Sequence, residues 1–122
     1  MKTEKINQTE MNFKAQISPE FEKFMRSYIN YGGERLKNNY RLNQKIADLN
    51  KFGYNDYTIN LANKLLGWGN EYSLVATKDG QNLKDGIVIA QKNSVKSIIK
   101  SFLYMTKGFF KYKMMQNQKY NP

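Results

Sequence analysis

The sequence predicts one α+β domain: an N-terminal strand, three helices, a β-hairpin and a long C-terminal amphipathic helix. Three observations predict it. Apolar residues alternate over 11 to 17. They recur at helical spacing through the middle and at the end. Two β-rich runs flank a doubled Asp-Gly turn. Residues 1 to 10 are polar and read as a flexible tail, which leaves 11 to 122 as a single basic binding domain.

The first strand follows from Met11, Phe13, Ala15 and Ile17, which alternate with Asn12, Lys14 and Gln16. Ser18-Pro19-Glu20 then starts a helix, with a cap, a proline at the first helical position and an acid in the first turn. Phe21, Phe24, Met25, Tyr28 and Ile29 give that helix one apolar face, and Gly32-Gly33 stops it. A second helix is expected from Glu34 to about Asn50. Leu36, Tyr40, Leu42, Ile46, Ala47 and Leu49 form its broad apolar face, and Lys37, Arg41 and Lys45 form a basic stripe beside it. Asn55 or Asp56 is expected to cap a short third helix with Ile59, Ala62, Leu65 and Leu66 inward. Residues 72 to 77 and 87 to 91 read as a hairpin with a long tip. Ser94 is expected to cap a last helix reaching about Met115, with Val95, Ile98, Ile99, Phe102, Leu103, Phe109 and Phe110 on one side and Gly108 as the candidate bend.

Composition limits the function. The chain has 122 residues, no Cys and no His. That excludes a disulfide framework, a Cys or His zinc site, a Cys nucleophile and a Ser-His-Asp triad. Asp79 and Asp85 sit in Asp-Gly dipeptides and read as turn formers, not as a metal or acid-base pair. No enzyme activity and no cofactor are expected. No run approaches the roughly 18 apolar residues of a membrane span, and the N-terminus lacks a signal-peptide core, so a cytoplasmic location is expected. Lys, Asn, Ile and Tyr are abundant, and their AT-rich codons suggest a low-GC bacterium or one of its mobile elements.

The net charge is +10, and residues 86 to 122 carry seven Lys and no acid. On a continuous last helix, Lys96, Lys100, Lys107 and Lys111 fall within roughly 60° of one another. With Lys113, and with Lys37, Arg41 and Lys45, they are the expected phosphate contacts, because a row of cations releases counterions from a polyanion.

If the first strand buries its apolar side, Asn12, Lys14 and Gln16 project together and are the candidate base readers. An alternating strand, Ser18-Pro19-Glu20-Phe21 opening a helix, a glycine break and a second helix resemble the ribbon-helix-helix fold over residues 11 to 50. The resemblance implies a homodimer whose paired strands enter the DNA major groove. Where that family usually has a Gly-x-Ser/Thr turn holding a phosphate, this chain has Gly32-Gly33-Glu34-Arg35. Three helices before a hairpin also permit a winged helix with residues 78 to 86 as the wing. Trp68, between two glycines, is a partner-binding candidate, or else a lid on the core. Tyr31, Tyr54, Tyr104, Tyr112 and Tyr120 are further interface candidates.

The expected function is therefore a non-catalytic basic protein that binds DNA, RNA or a host nucleoprotein, as a phage or mobile-element regulator does. The alternative is a small phage-type inhibitor of a host protein or of a guide-RNA nuclease complex (anti-CRISPR-like).

Overall fold

The computed structural model describes residues 16–51, 56–116 and 118–121. The structure is α+β, with a four-stranded mixed sheet and four helices. The chain runs β1 (Gln16–Ile17), α1 (Pro19–Tyr31), α2 (Arg35–Leu49), β2 (Tyr57–Leu66), β3 (Gly69–Lys78), a 3-10 turn (Leu83–Asp85), β4 (Ile87–Lys92), α3 (Val95–Leu103) and α4 (Lys107–Gln116). The strands lie in the order β1-β2-β3-β4. β1 is parallel to β2, and the other two pairings are antiparallel.

Local chemistry starts and stops the first helix. Ser18 Oγ accepts the Phe21 N–H at 3.1 Å, which satisfies one free donor of α1. Phe21, Met25 and Ile29 are buried along one side of it. The Gly32 N–H donates to the Ile29 carbonyl and closes the last turn. Glu34 then adopts φ 55, a left-handed conformation, and leads into α2, whose Leu42 and Leu49 are buried.

β2 and β3 form a ten-residue antiparallel ladder joined only by Gly67 and Trp68. Period two sorts their side chains. Ile59, Leu74 and Ala76, with Ile87 of β4, meet all four helices in one core. In that core the Phe21 and Phe102 rings meet edge to face at 5.2 Å. The β3–β4 register shifts between Leu74, opposite Ala90, and Val75, opposite Val88. Ile89 is the extra residue of this bulge, and it is buried. On the other side of the sheet, Ala62, Val75 and Val88 pack with Tyr120. The segment that carries Tyr120 follows the outer edge of β4. The Val88 N–H donates to Gln118, and the Tyr120 N–H donates to Gly86. This segment therefore occupies edge groups that β4 would otherwise leave open.

Three expectations about the fold are corrected. The expected third helix is strand β2, because Ile59 and Leu61 pair with Ala76 and Leu74 across the ladder. The expected long last helix is two helices, interrupted at residues 104–106. On α2, Leu36 and Tyr40 are exposed, so the buried stripe is narrower than the apolar pattern implies. The first strand is described only at Gln16 and Ile17, and Asn12 and Lys14 lie outside the described residues. Among the described residues, no helix is long and apolar enough to cross a membrane.

Candidate functional site

The break between α3 and α4 organises the basic surface. α3 begins at Ser94, whose Oγ accepts the Ser97 N–H at 3.1 Å. It buries Ile98, Ile99, Phe102 and Leu103. After Leu103 the hydrogen bonding tightens, as the Met105 N–H reaches back three residues to the Phe102 carbonyl. The Met105 side chain is buried in the core. Thr106 then restarts the helix: its Oγ1 accepts the Phe109 N–H at 3.0 Å, and its carbonyl accepts the Phe110 N–H. The result is a fixed knuckle, Tyr104-Met105-Thr106.

Two cations from α2 reach this knuckle. The Lys45 ammonium donates to the Met105 carbonyl, near the end of α3 where helix carbonyls lack partners. One turn earlier, the Arg41 guanidinium carbon lies 4.1 Å from the Tyr104 ring centroid. Arg41 Nε is buried and has no hydrogen-bond partner among the described residues. Partial burial holds the Lys45 pKa below its ordinary value of 10.5. Asp48 opposes that shift, and Arg41 adds to it.

A depression opens on each side of the knuckle. One, of about 470 Å³, is lined by Arg41, Lys45, Lys51, Lys107 and the carboxylate Asp48. The other, of about 640 Å³, is lined by Lys92, Lys113, Gln91 and Phe109. Tyr104, Met105 and Thr106 belong to both. Tyr104 is 50% exposed, and the Lys113 ammonium lies 5.6 Å from the Phe109 ring centroid. Among the described residues, six cations thus line the two depressions with one carboxylate, and two partly open aromatic residues lie among them.

The site residues expected from the sequence separate into groups. Arg41, Lys45, Lys107 and Lys113 meet at the two depressions. Lys96 and Lys100 are exposed on α3 and Lys111 on α4, so the expected single lysine row is divided between two helices. Lys37 pairs with Glu34 at 3.5 Å. Gln16 is exposed on β1, beside Thr58 of β2. Trp68 is 72% exposed in the β2–β3 turn, so it does not seal the core. Tyr31, Tyr104 and Tyr112 are exposed, whereas Tyr120 is buried; Tyr54 lies outside the described residues. Sequence reasoning did not assign Lys51, Lys92 or Phe109 to a site. Only the helix break brings them beside Tyr104, and its legible signal was Thr106, a capping residue inside an apolar helical pattern.

Among the described residues, no group of three or more acidic side chains is placed to hold a metal. Asp79 donates its N–H to the Asp56 carbonyl and Asp85 closes the 3-10 turn, both with backbone groups of the chain's own turns. No protein-family model, curated protein or solved structure matches the chain.

Proposed function

We propose that this chain is a non-catalytic protein that binds nucleic acid through the basic surface around Tyr104-Met105-Thr106. The carrying observation is the gathering of Arg41, Lys45, Lys51, Lys92, Lys107 and Lys113 round one knuckle with a single carboxylate among them. A structural surface helix ordinarily mixes its signs, and a one-signed field draws polyanions. The two ion pairs among the described residues, Arg26–Glu22 and Lys37–Glu34, involve none of the lysines beyond residue 86. Among the described residues no carboxylate pairs with those ammonium groups, which leaves them to displace counterions from phosphates.

A salt series tests the proposal. Fluorescence anisotropy with labelled DNA and RNA is expected to show binding at about 50 mM salt that falls steeply by about 200 mM. The absence of any polymer binding at the lower salt would refute it. The ribbon-helix-helix resemblance adds a dimer to this proposal, with Asn12, Lys14 and Gln16 reading bases. Sedimentation velocity that finds a monomer would remove that addition.

One observation favours a second reading, a small phage-type inhibitor that docks on a host protein. Trp68 and Leu65 are 72% and 79% exposed at one end of the β2–β3 hairpin, and an exposed Trp is a common anchor in protein interfaces. On that reading Trp68→Ala abolishes capture of the protein target and leaves polymer binding unchanged.

A further inference from the structure

The charge around the knuckle fits any polyanion, but the aromatic rings there do not. Resting on the nucleic-acid reading above, we propose that the site takes unpaired nucleic acid, with Tyr104 as the platform on which a base stacks.

Tyr104 forms part of the wall of both depressions, so a strand passing from one to the other runs past it. The Arg41 guanidinium lies over the ring at 4.1 Å, and half of the residue remains open to solvent. A base laid on the open part extends an existing cation–ring stack. The ring is held for this in advance. Lys45 ties the adjacent Met105 carbonyl, Met105 is anchored in the core, and Thr106 caps the next helix. Little ordering cost is left to be met on binding. Phe109, also partly open, lines the second depression beneath Lys113 and offers a second ring to the next base.

Duplex and single strand differ in what they present to such a surface. A duplex shows phosphates outside and keeps its base faces stacked inside. It can meet Lys51, Lys92 and Lys107, but it has no base face for Tyr104. An unpaired strand presents phosphates and base faces alternately, which matches cations flanking rings. DNA and RNA share that chemistry.

The experiment compares single-stranded DNA, single-stranded RNA and duplex DNA, each of about 15 nucleotides. Binding is measured over the same salt range for the natural chain, Tyr104→Ala and Tyr104→Phe. Thermal melting checks that the variants fold. Tighter binding of one or both single strands than of duplex is expected. Tyr104→Ala is expected to weaken single-strand binding roughly 5- to 100-fold without changing its salt slope, because the lost contact is uncharged. Tyr104→Phe is expected to retain the affinity. Preference for DNA or for RNA identifies the strand the site prefers, and either supports the inference. Equal affinity for duplex and single strand, or a Tyr104→Ala chain that binds single strands as tightly as the natural one, overturns it while leaving the polyanion reading in place. Failure of every oligonucleotide to bind overturns both.

Discussion

Lys45 of α2 donates an ammonium hydrogen to the carbonyl of Met105, sixty residues further along the chain. The bond joins the middle of one helix to the break between two others. A charged donor on a helix-end carbonyl is among the stronger neutral–ionic contacts a protein makes. It also places a cation in a half-buried position, where desolvation works against its charge.

That conflict predicts a pH dependence of stability. Burial lowers the Lys45 pKa in the fold, the Arg41 charge lowers it further and Asp48 partly restores it. The unfolded chain recovers the ordinary 10.5. Between the two values the unfolded state binds more protons, so stability rises with pH across that window and is flat below it. Urea midpoints measured as pH climbs towards 10.5 are expected to show this rise. The readout is the difference from Lys45→Met, which lacks the component due to Lys45. Parallel curves for the two chains would contradict the assignment.

Gly86 carries a steric prediction. A Cβ there would lie 2.5 Å from Val75 Cγ1, 2.8 Å from Thr77 Cγ2 and 2.9 Å from the Ala76 carbonyl oxygen. Two of these are buried β-branched side chains of β3 and the third is backbone, so none can swing aside. The Gly86 carbonyl also accepts the Tyr120 N–H, which ties the C-terminal segment to the start of β4. Gly86→Ala is expected to cost about 2 to 3 kcal/mol in urea unfolding and to loosen Tyr120. A loss below about 0.5 kcal/mol would show that the strand shifts freely.

The two elements read wrongly and the one read well differ in a physical way. α1 was legible because its signals are local: Ser18 caps, Pro19 sets the first turn, and Phe21, Met25 and Ile29 form a narrow stripe. β2 was not, since Ile59, Ala62 and Leu66 fit a helix as well as Tyr57, Ile59 and Leu61 fit a strand. A ten-residue ladder with β3, a non-local pairing, decides between them. The knuckle was missed for a different reason. Apolar residues continue at helical spacing across it, while Met105 turns into the core and Thr106 starts a new helix. The charge surplus near the C-terminal end was legible by counting; its meeting with Arg41, Lys51 and Tyr104 needed the fold.

Glu34 offers a test of local strain. Its φ of 55 lies in the left-handed region, where a side chain with Cβ loses roughly 1 to 2 kcal/mol. It stands at the cap position of α2 without making a side-chain cap bond, and its pairing with Lys37 at 3.5 Å is exposed. An exposed pair of this kind contributes little. Asn tolerates the left-handed conformation and is a favoured cap. Glu34→Asn is expected to raise stability by about 0.5 to 1 kcal/mol, seen as a higher urea midpoint at unchanged slope. A drop would mean that the ion pair outweighs the backbone strain.

The location of the interface is tested by moving charge. Lys51 and Lys107 line the depression that also holds Arg41 and Lys45, and both are exposed. Lys37 and Lys96 are exposed as well but line neither depression, and Lys37 already has Glu34 beside it. The double reversals Lys51→Glu/Lys107→Glu and Lys37→Glu/Lys96→Glu change the net charge equally. A protein held only by its overall field would lose affinity equally in both. A contact at the knuckle separates them, because at about 0.1 M salt an exposed charge is screened over roughly 10 Å. The first pair is expected to lose at least about 100-fold and to flatten the salt slope by one to two phosphate equivalents. The second is expected to lose less than about 5-fold with its slope nearly kept. Equal losses would place the contact over the whole basic surface, and a larger loss from the second pair would move it to the outer faces of α2 and α3.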